Sequence, residues 1–388
     1  MAKKKTYPSL FNLFLDDLLP DECVIYGYAR SNSTDEAFRN KILPYLTKGD
    51  VSEDIARTFL ERCFYSSGKS YGDADAFKVV QSAVTEKLQT EKFNKLFYYA
   101  IPPNAFADST KAIHNVYYDP DDEMFLRIIV EKPFGRDLET CKELGVQLAQ
   151  YFSEKYLFRI DHYLGKEMIQ NLLIMRFGNI WFDDLFNRDK VSSIILTFKE
   201  DIGTQGRGGY FDHFGIIRDI IQNHLIQALS LLVMEAPIKI EGEGSGDYIR
   251  DAKVAALQSI VPPTLDDCVL GQYDGYLDDD TITNKESNTP TYALVMLRIN
   301  NPRWAGVPIV LKAGKALNER KTEMRIQFKD PPAGSYLFGD KSAPPRNELV
   351  IRLQPKEAIY MKTNIKSPGF DSNPVQSGKF SILYCLWL

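Results

Sequence analysis

Residues 158–167 read FRIDHYLGKE, and six of these ten side chains can do chemistry: Arg159, Asp161, His162, Tyr163, Lys166 and Glu167. An imidazole and an ammonium four residues apart suit a phosphate, one as a planar donor and the other as a compact point charge. Asp161 neighbours His162, so in extended backbone its carboxylate points to the other side and can orient a histidine from elsewhere. The competing reading is a surface turn with ordinary ion pairs. A candidate histidine lies in FDHFGIIRDIIQNHLIQALSLLVMEAP, where the apolar spacing of Ile216, Ile217, Ile220, Ile221, Leu225, Leu229 and Leu232 predicts a buried helix over 214–234. A lone buried histidine is usually a satisfied core residue. Arg218, Asp219, Asn223 and His224 share one greasy segment, however, and each needs a partner. His213 reads as surface or capping and His114 as structural.

Other clusters are weaker alone. CVIYGYAR ends a predicted strand on Arg30, which suits the 2′-phosphate of NADP or is simply a solvated strand end. EKPFG places Lys132 at the carboxyl end of another strand, where α/β folds bind ligands. LKAGKALNERKTEMRIQF gathers Lys312, Lys315, Arg320, Lys321 and Arg325, either an anion site or a solvated basic strand. The Gly-spaced EGEGSGD carries Glu241, Glu243 and Asp247, which repel phosphate, so it reads as a loop.

These groups need elements to position them. At 388 residues the chain is long for one core, and two domains are expected. Lys and Arg number 47 against 52 Asp and Glu, a net charge of −5 that argues against a dedicated nucleic-acid binder. Five scattered cysteines without a CxxC pair argue against a disulfide framework or zinc site and for a reducing compartment. No apolar run approaches the roughly 20 residues of a membrane span, and AKKK is not followed by a signal-peptide core. Strand-like CVIYGYAR, KLFYYAIPP and FLRIIVEKPFG alternate with helical patterns over 34–64 and 73–92, which predicts a doubly wound parallel sheet. Beyond residue 265 the strand-like TYALVMLRINN, VPIVLKAGK, EMRIQFK and NELVIRLQP predict an α+β domain on an antiparallel sheet.

Together RIDHYLGKE, EKPFGRD, RGGYFDHFGIIRDIIQNHL and KAGKALNERK, in this order, resemble the glucose-6-phosphate dehydrogenase family, its cytosolic members especially. The resemblance implies an α/β Rossmann-like domain over 1–157 and a C-terminal α+β domain with a large antiparallel sheet over 158–388. It implies oxidation of the C1 hydroxyl of glucose 6-phosphate to the lactone with NADP, the first step of the oxidative pentose phosphate pathway, in the cytoplasm, without a metal. By motif, His224 corresponds to the general base and Asp161 to the group that orients it. Lys132, His162, Tyr163, Lys166, Glu200, Asp219, Lys315 and Arg320 correspond to substrate contacts, and Lys5, Arg30 and Lys132 to cofactor contacts. Lys312, Lys321, Arg325 and Arg352 match in part a second, structural NADP site. The family forms homo-oligomers, dimers or tetramers, and binds neither nucleic acid nor membrane.

The chain departs from the family pattern in places. It opens within the glycine motif G-A-S-G-D-L-A that precedes K-K-K, so the first strand and Gly-rich turn are expected to be missing. After SPGF it leaves the pattern and is expected to be cut short. His213 stands where Glu is usual, and RFGNIWF replaces R-F-A-N-R. A second reading is therefore a non-catalytic fragment that binds sugar phosphate or pairs with longer subunits.

Overall fold

The computed structural model describes all residues except Met1, 48–50, 340–342, 367, 371–373 and 385–388, and the side chains of these and of 335 and 377–384 are left out. The chain forms two compact units, Met1–Ile160 and Asp161–Leu388.

In the first unit, α1 (Thr6–Leu15), β1 (Ile25–Ala29), α2 (Asp35–Leu46), α3 (Glu53–Glu61), β2 (Cys63–Ser67), α4 (Ala74–Leu88), β3 (Lys95–Tyr99), α5 (Phe106–Tyr117), β4 (Leu126–Val130), α6 (Leu138–Ala149) and β5 (Leu157–Arg159) alternate. Side-chain caps set the helix starts: Thr34 accepts from the Ala37 amide and Asp73 from the Ala76 amide, both at 3.2 Å. Asp137 and Thr140 form a reciprocal capping box that launches α6 after the exit from β4. All pairing in this unit is parallel, in two separate ladders, β1–β2 and β3–β4–β5. No strand joins them among the described residues. A shared helical layer covers both, because the Phe77 ring of α4 stacks on Tyr28 of β1 at 4.8 Å and meets Phe97 of β3 edge-on at 6.5 Å. On β1, a Cβ at Gly27 would lie 2.7 Å from Phe38 and 3.0 Å from the Tyr7 hydroxyl, so only glycine admits these rings.

One expectation is corrected here. The helical pattern over 34–64 splits into α2 and α3, and its end joins a strand, CFYSS, that pairs with β1 from Ile25↔Cys63 onward. Five residues without alternation carry almost no periodic signal, and pairing with β1 decides the matter.

The second unit opens with α7 (Glu167–Phe177) and α8 (Ile180–Leu185), then β6 (Val191–Lys199), α9 (Gly208–Ile216), a π-helix (Ile217–Leu225), α10 (Ile226–Val233) and α11 (Ser245–Gln258). The strands β7 (Ile260–Val261), β8 (Cys268–Gly271), β9 (Tyr292–Ile299), β10 (Ile309–Gly314), β11 (Lys321–Phe328), β12 (Glu348–Gln354), β13 (Ala358–Lys366) and β14 (Pro374–Tyr384) follow. Nine strands form one sheet, in the order β14-β13-β12-β11-β6-β10-β9-β7, with β8 also on β9. Pairing is antiparallel except between β6 and β10. The π-helix, α10 and α7 bury Ile220, Ile221, Leu225, Leu229 and Leu172 in one core with Ile194, Leu196 and Leu311 of the sheet.

The helix predicted as continuous over 214–234 is broken at Gly215, whose φ of 66° lies in the left-handed region, and continues as π-helix before α10. The segment after SPGF supplies β14, an antiparallel partner of β13, so the departure in sequence keeps strand geometry; residues 385–388 of that tail lie outside the described set. Among the described residues no helix is long and apolar enough to cross a membrane.

Candidate active site

The FRIDHYLGKE segment leaves β5 after Arg159 and turns over 162–165 before α7, and the turn is built by Asp161. Its Oδ1 accepts the amides of Tyr163 at 2.7 Å and Leu164 at 3.2 Å, which folds the backbone back on itself. Its Oδ2 accepts Nδ1–H of His224 at 2.6 Å. A carboxylate can only accept, so the imidazole presents the Nε2 lone pair on its far side. His224 is 1% exposed and Asp161 15% at the side chain, so the pair sits in a low-dielectric pocket. Burial pushes the Asp161 carboxyl up, but the hydrogen bond and charge of His224 and the two amides outweigh it, and the group titrates below the usual carboxylate range.

Rings lock the imidazole in place. Tyr163 stacks on His224 at 4.6 Å and His162 meets it edge-on at 4.4 Å. Tyr163 is buried, with its hydroxyl 3.4 Å from that of Thr322, and burial pushes its phenol up to about 12. The π-helix that carries His224 has N–H to C=O bonds five residues apart, as in Ile226 to Ile221. Residues five apart are therefore brought near one another along its surface, which Asp219 and His224 are.

Around this pair stand the other expected substrate residues. The Lys166 ammonium lies 5.7 Å from the Tyr163 ring, at the start of α7, where helix-terminal N–H groups favour an anion. The Lys315 ammonium is buried and donates to Glu200 Oε2 at 2.5 Å, and also lies 5.3 Å from the Phe211 ring. Glu200, Asp161 and Arg320 all act electrostatically on the Tyr163 phenol, which ties these residues to one locale. Arg320 is exposed, and Asp219 is half-buried with the Tyr210 phenol in its field. The exposed His162 and partly exposed Lys166 give the turn a rim of hydrogen-bond donors over an ionised floor.

In the first unit, Arg30 follows β1 and lies 5.3 Å from the Tyr71 ring. The two border a concavity of about 240 Å³ with Ser70, Gly72, Pro102 and Asn104, at the carboxyl ends of β1 and β3. Open α/β sheets bind nucleotides at that end. Lys5 is exposed at the start of α1, and Lys132, half-buried, follows β4 and precedes a cis proline. Lys312, Lys321, Arg325 and Arg352 share one face of the large sheet, where Lys312, Thr197, Glu323 and Arg352 lie in register. Buried Glu323 accepts from Arg325 at 2.6 Å and lies 3.4 Å from Lys321, so part of this basic face is already neutralised.

Sequence reasoning did not single out Gln227 and Lys253, whose side chains meet at 2.5 Å one helical turn beyond His224. Nor did it find the π-helix. A one-residue change of helical register leaves no mark in hydrophobic spacing over so short a span.

Comparison with known proteins agrees with this architecture. The description of the glucose-6-phosphate dehydrogenase NAD binding domain matches residues 1–171, and that of the C-terminal domain of the same enzyme matches 173–384. The second match runs through β14, past the point where the motif pattern is lost. The chain is 50% identical over 386 residues to the cytoplasmic glucose-6-phosphate 1-dehydrogenase 6 of Arabidopsis thaliana, covering 97% of this chain and 73% of the relative. It is 49% identical over 395 residues to the glucose-6-phosphate 1-dehydrogenase of Dictyostelium discoideum, covering 99% and 77%. A solved glucose-6-phosphate dehydrogenase in complex with glucose-6-phosphate matches with a TM-score of 0.89 at 43% identity, over 99% of this chain and 79% of that one. With both domains matched and half its residues shared with such relatives, the chain belongs to the glucose-6-phosphate dehydrogenase family, oxidoreductases with a nicotinamide-nucleotide domain.

Proposed function

We propose that this chain oxidises glucose 6-phosphate at C1 with NADP, in the cytoplasm and as a homo-oligomer. The observation that carries the chemistry is the buried 2.6 Å hydrogen bond between Asp161 and His224. It fixes the tautomer in which Nε2 accepts a proton, the task of a general base facing a sugar hydroxyl. As that proton arrives, the Asp161 carboxylate stabilises the imidazolium without taking the proton itself. His162 and Lys166 hold the phosphate on the rim. Tyr163 keeps the base from rotating, while Glu200, Asp219, Lys315 and Arg320 orient the sugar hydroxyls and phosphate. Fixing the substrate in this way replaces entropy that a solution reaction would lose.

The nicotinamide cofactor, when bound, supplies the acceptor for the C1 hydride. Residues of the first unit fit its adenosine end: Arg30 offers a planar cation beside an aromatic ring in an open concavity, as a 2′-phosphate requires. Lys5 and Lys132 complete the cofactor contacts, with Lys132 reaching the substrate as well. Arg30→Met should lower kcat/KM for NADP about 10- to 100-fold, the worth of a charge-assisted hydrogen bond, and leave turnover with NAD unchanged. Equal loss with both cofactors would remove Arg30 from this role.

The direct test is NADP-dependent oxidation of glucose 6-phosphate by this polypeptide, with His224→Asn as the control. Turnover that disappears in the control supports the reading. A folded chain that binds glucose 6-phosphate without turning it over would favour the non-catalytic fragment instead.

A further inference from the structure

Asp161 is ionised and half-buried, and its partner His224 must be neutral before it can accept a proton. In that resting state the pocket holds a negative charge to which, among the described residues, two amides and the imidazole donate rather than a cation. Three of its roughly four acceptor positions are used, both on Oδ1 by the two amides and one on Oδ2 by Nδ1. A lysine bonded directly to the carboxylate would compete with the imidazole. A lysine held a short way off would compensate the charge and leave the hydrogen bonds in place.

Such a lysine is present. Lys253 on α11 donates from Nζ to Gln227 Oε1 at 2.5 Å, and both side chains are half-buried. Gln227 lies three residues after His224, at the start of α10, against which α11 packs. Lys253 lies within the field of Asp161; burial pushes its ammonium below the usual lysine range, and Asp161 acts in the opposite sense. The neighbouring cation on α11, Arg250, is engaged by Asp247 at 2.8 Å. Among the described residues, the other titratable and charged groups around the imidazole include His162, Tyr163 and Lys166 on the turn, Asp219 on its own helix, and Glu200, Lys315 and Arg320 beyond Tyr163.

We infer that Lys253 is a positioning residue for the Asp161–His224 base, an ammonium tethered by Gln227 that balances the carboxylate and discourages premature protonation of the imidazole. This rests on the proposed role of His224. Its consequence is directional. Without the ammonium the imidazole keeps its proton to higher pH, and the acid limb of kcat/KM moves up by about half to one pH unit.

The test compares the full chain with Lys253→Met and Lys253→Arg, reading both the pH profile of glucose 6-phosphate oxidation and the proton NMR titration of the His224 ring. Only four histidines are present, so the ring is assigned by the signal lost in His224→Asn. The upward shift in Lys253→Met, largely restored in Lys253→Arg, is the expected result. A rate lowered equally at every pH, with the ring titration unmoved, would make Lys253 merely structural and overturn the inference. The ring titration needs no turnover, so it decides the matter even if the activity itself is not found.

Discussion

Asp161→Asn should lower kcat about 10³- to 10⁴-fold while leaving the chain folded. The substitution keeps size and shape, and the amide oxygen can still accept from Tyr163 and Leu164 and hold the turn. The other position becomes an NH₂ where a carboxylate oxygen accepted from Nδ1 at 2.6 Å. A donor facing Nδ1 selects the opposite tautomer, which places the proton on Nε2 and blocks the atom that should receive one. The imidazolium also loses its counter-charge in a pocket where His224 is 1% exposed. The prediction is checked by kcat with circular dichroism and Tm on the same preparation. A loss below tenfold would mean that Asp161 serves the turn and not the base.

The second large effect comes from helical register. Deleting Gln222, an exposed residue of the π-helix, should lower kcat/KM at least about 10²-fold and leave the helical content unchanged. Both ends of the segment are anchored: the Ile216 amide donates to Pro290 at 3.0 Å, and Leu225 and Leu229 are packed in the core. Removing one residue lets bonds five apart relax to four apart. Asp219 and His224 then stand four apart on an α-helix, on one face still but at a changed rotation and rise, so the pair no longer keeps the spacing that addresses one ligand. α-Helix is the commoner state, so the deleted chain should be at least as thermostable as the parent. Turnover within fivefold of the parent would show that the π register carries no function.

Much of the site was legible because chemistry concentrates in short strings. Asp161, His162, Tyr163 and Lys166 fall in one decapeptide, and His224 stood out as a polar residue on an apolar helix. What spacing alone left open was the partner of that histidine. The family resemblance named Asp161, and the carboxylate reaches His224 from the head of a turn, one of the two backbone states weighed for this segment. Strands with long apolar runs, such as YALVMLRI in β9, were visible, whereas CFYSS in β2 was hidden beside a helix. Its identity lies in its pairing with β1, a non-local fact. Lys253 and Gln227 were missed for a similar reason. Each looks like an ordinary surface residue of an amphipathic helix until α10 and α11 are brought together.

The two parallel ladders of the first unit bear on handling of the protein as well as on its fold. β6 and β10 each lie between two neighbours, so their amides exchange with solvent only when the large sheet opens. β1 and β3 each keep one edge without a strand among the described residues, although α4 spans both. Amides on those edges should exchange orders of magnitude faster than those of β6, a difference that deuterium uptake by mass spectrometry would register within minutes. Edges of five-residue strands that have no partner strand among the described residues are also templates for another extended chain. In a concentrated solution, loss of protein should therefore begin as strand-to-strand association through the first unit, at temperatures where the nine-stranded sheet of the second is still intact.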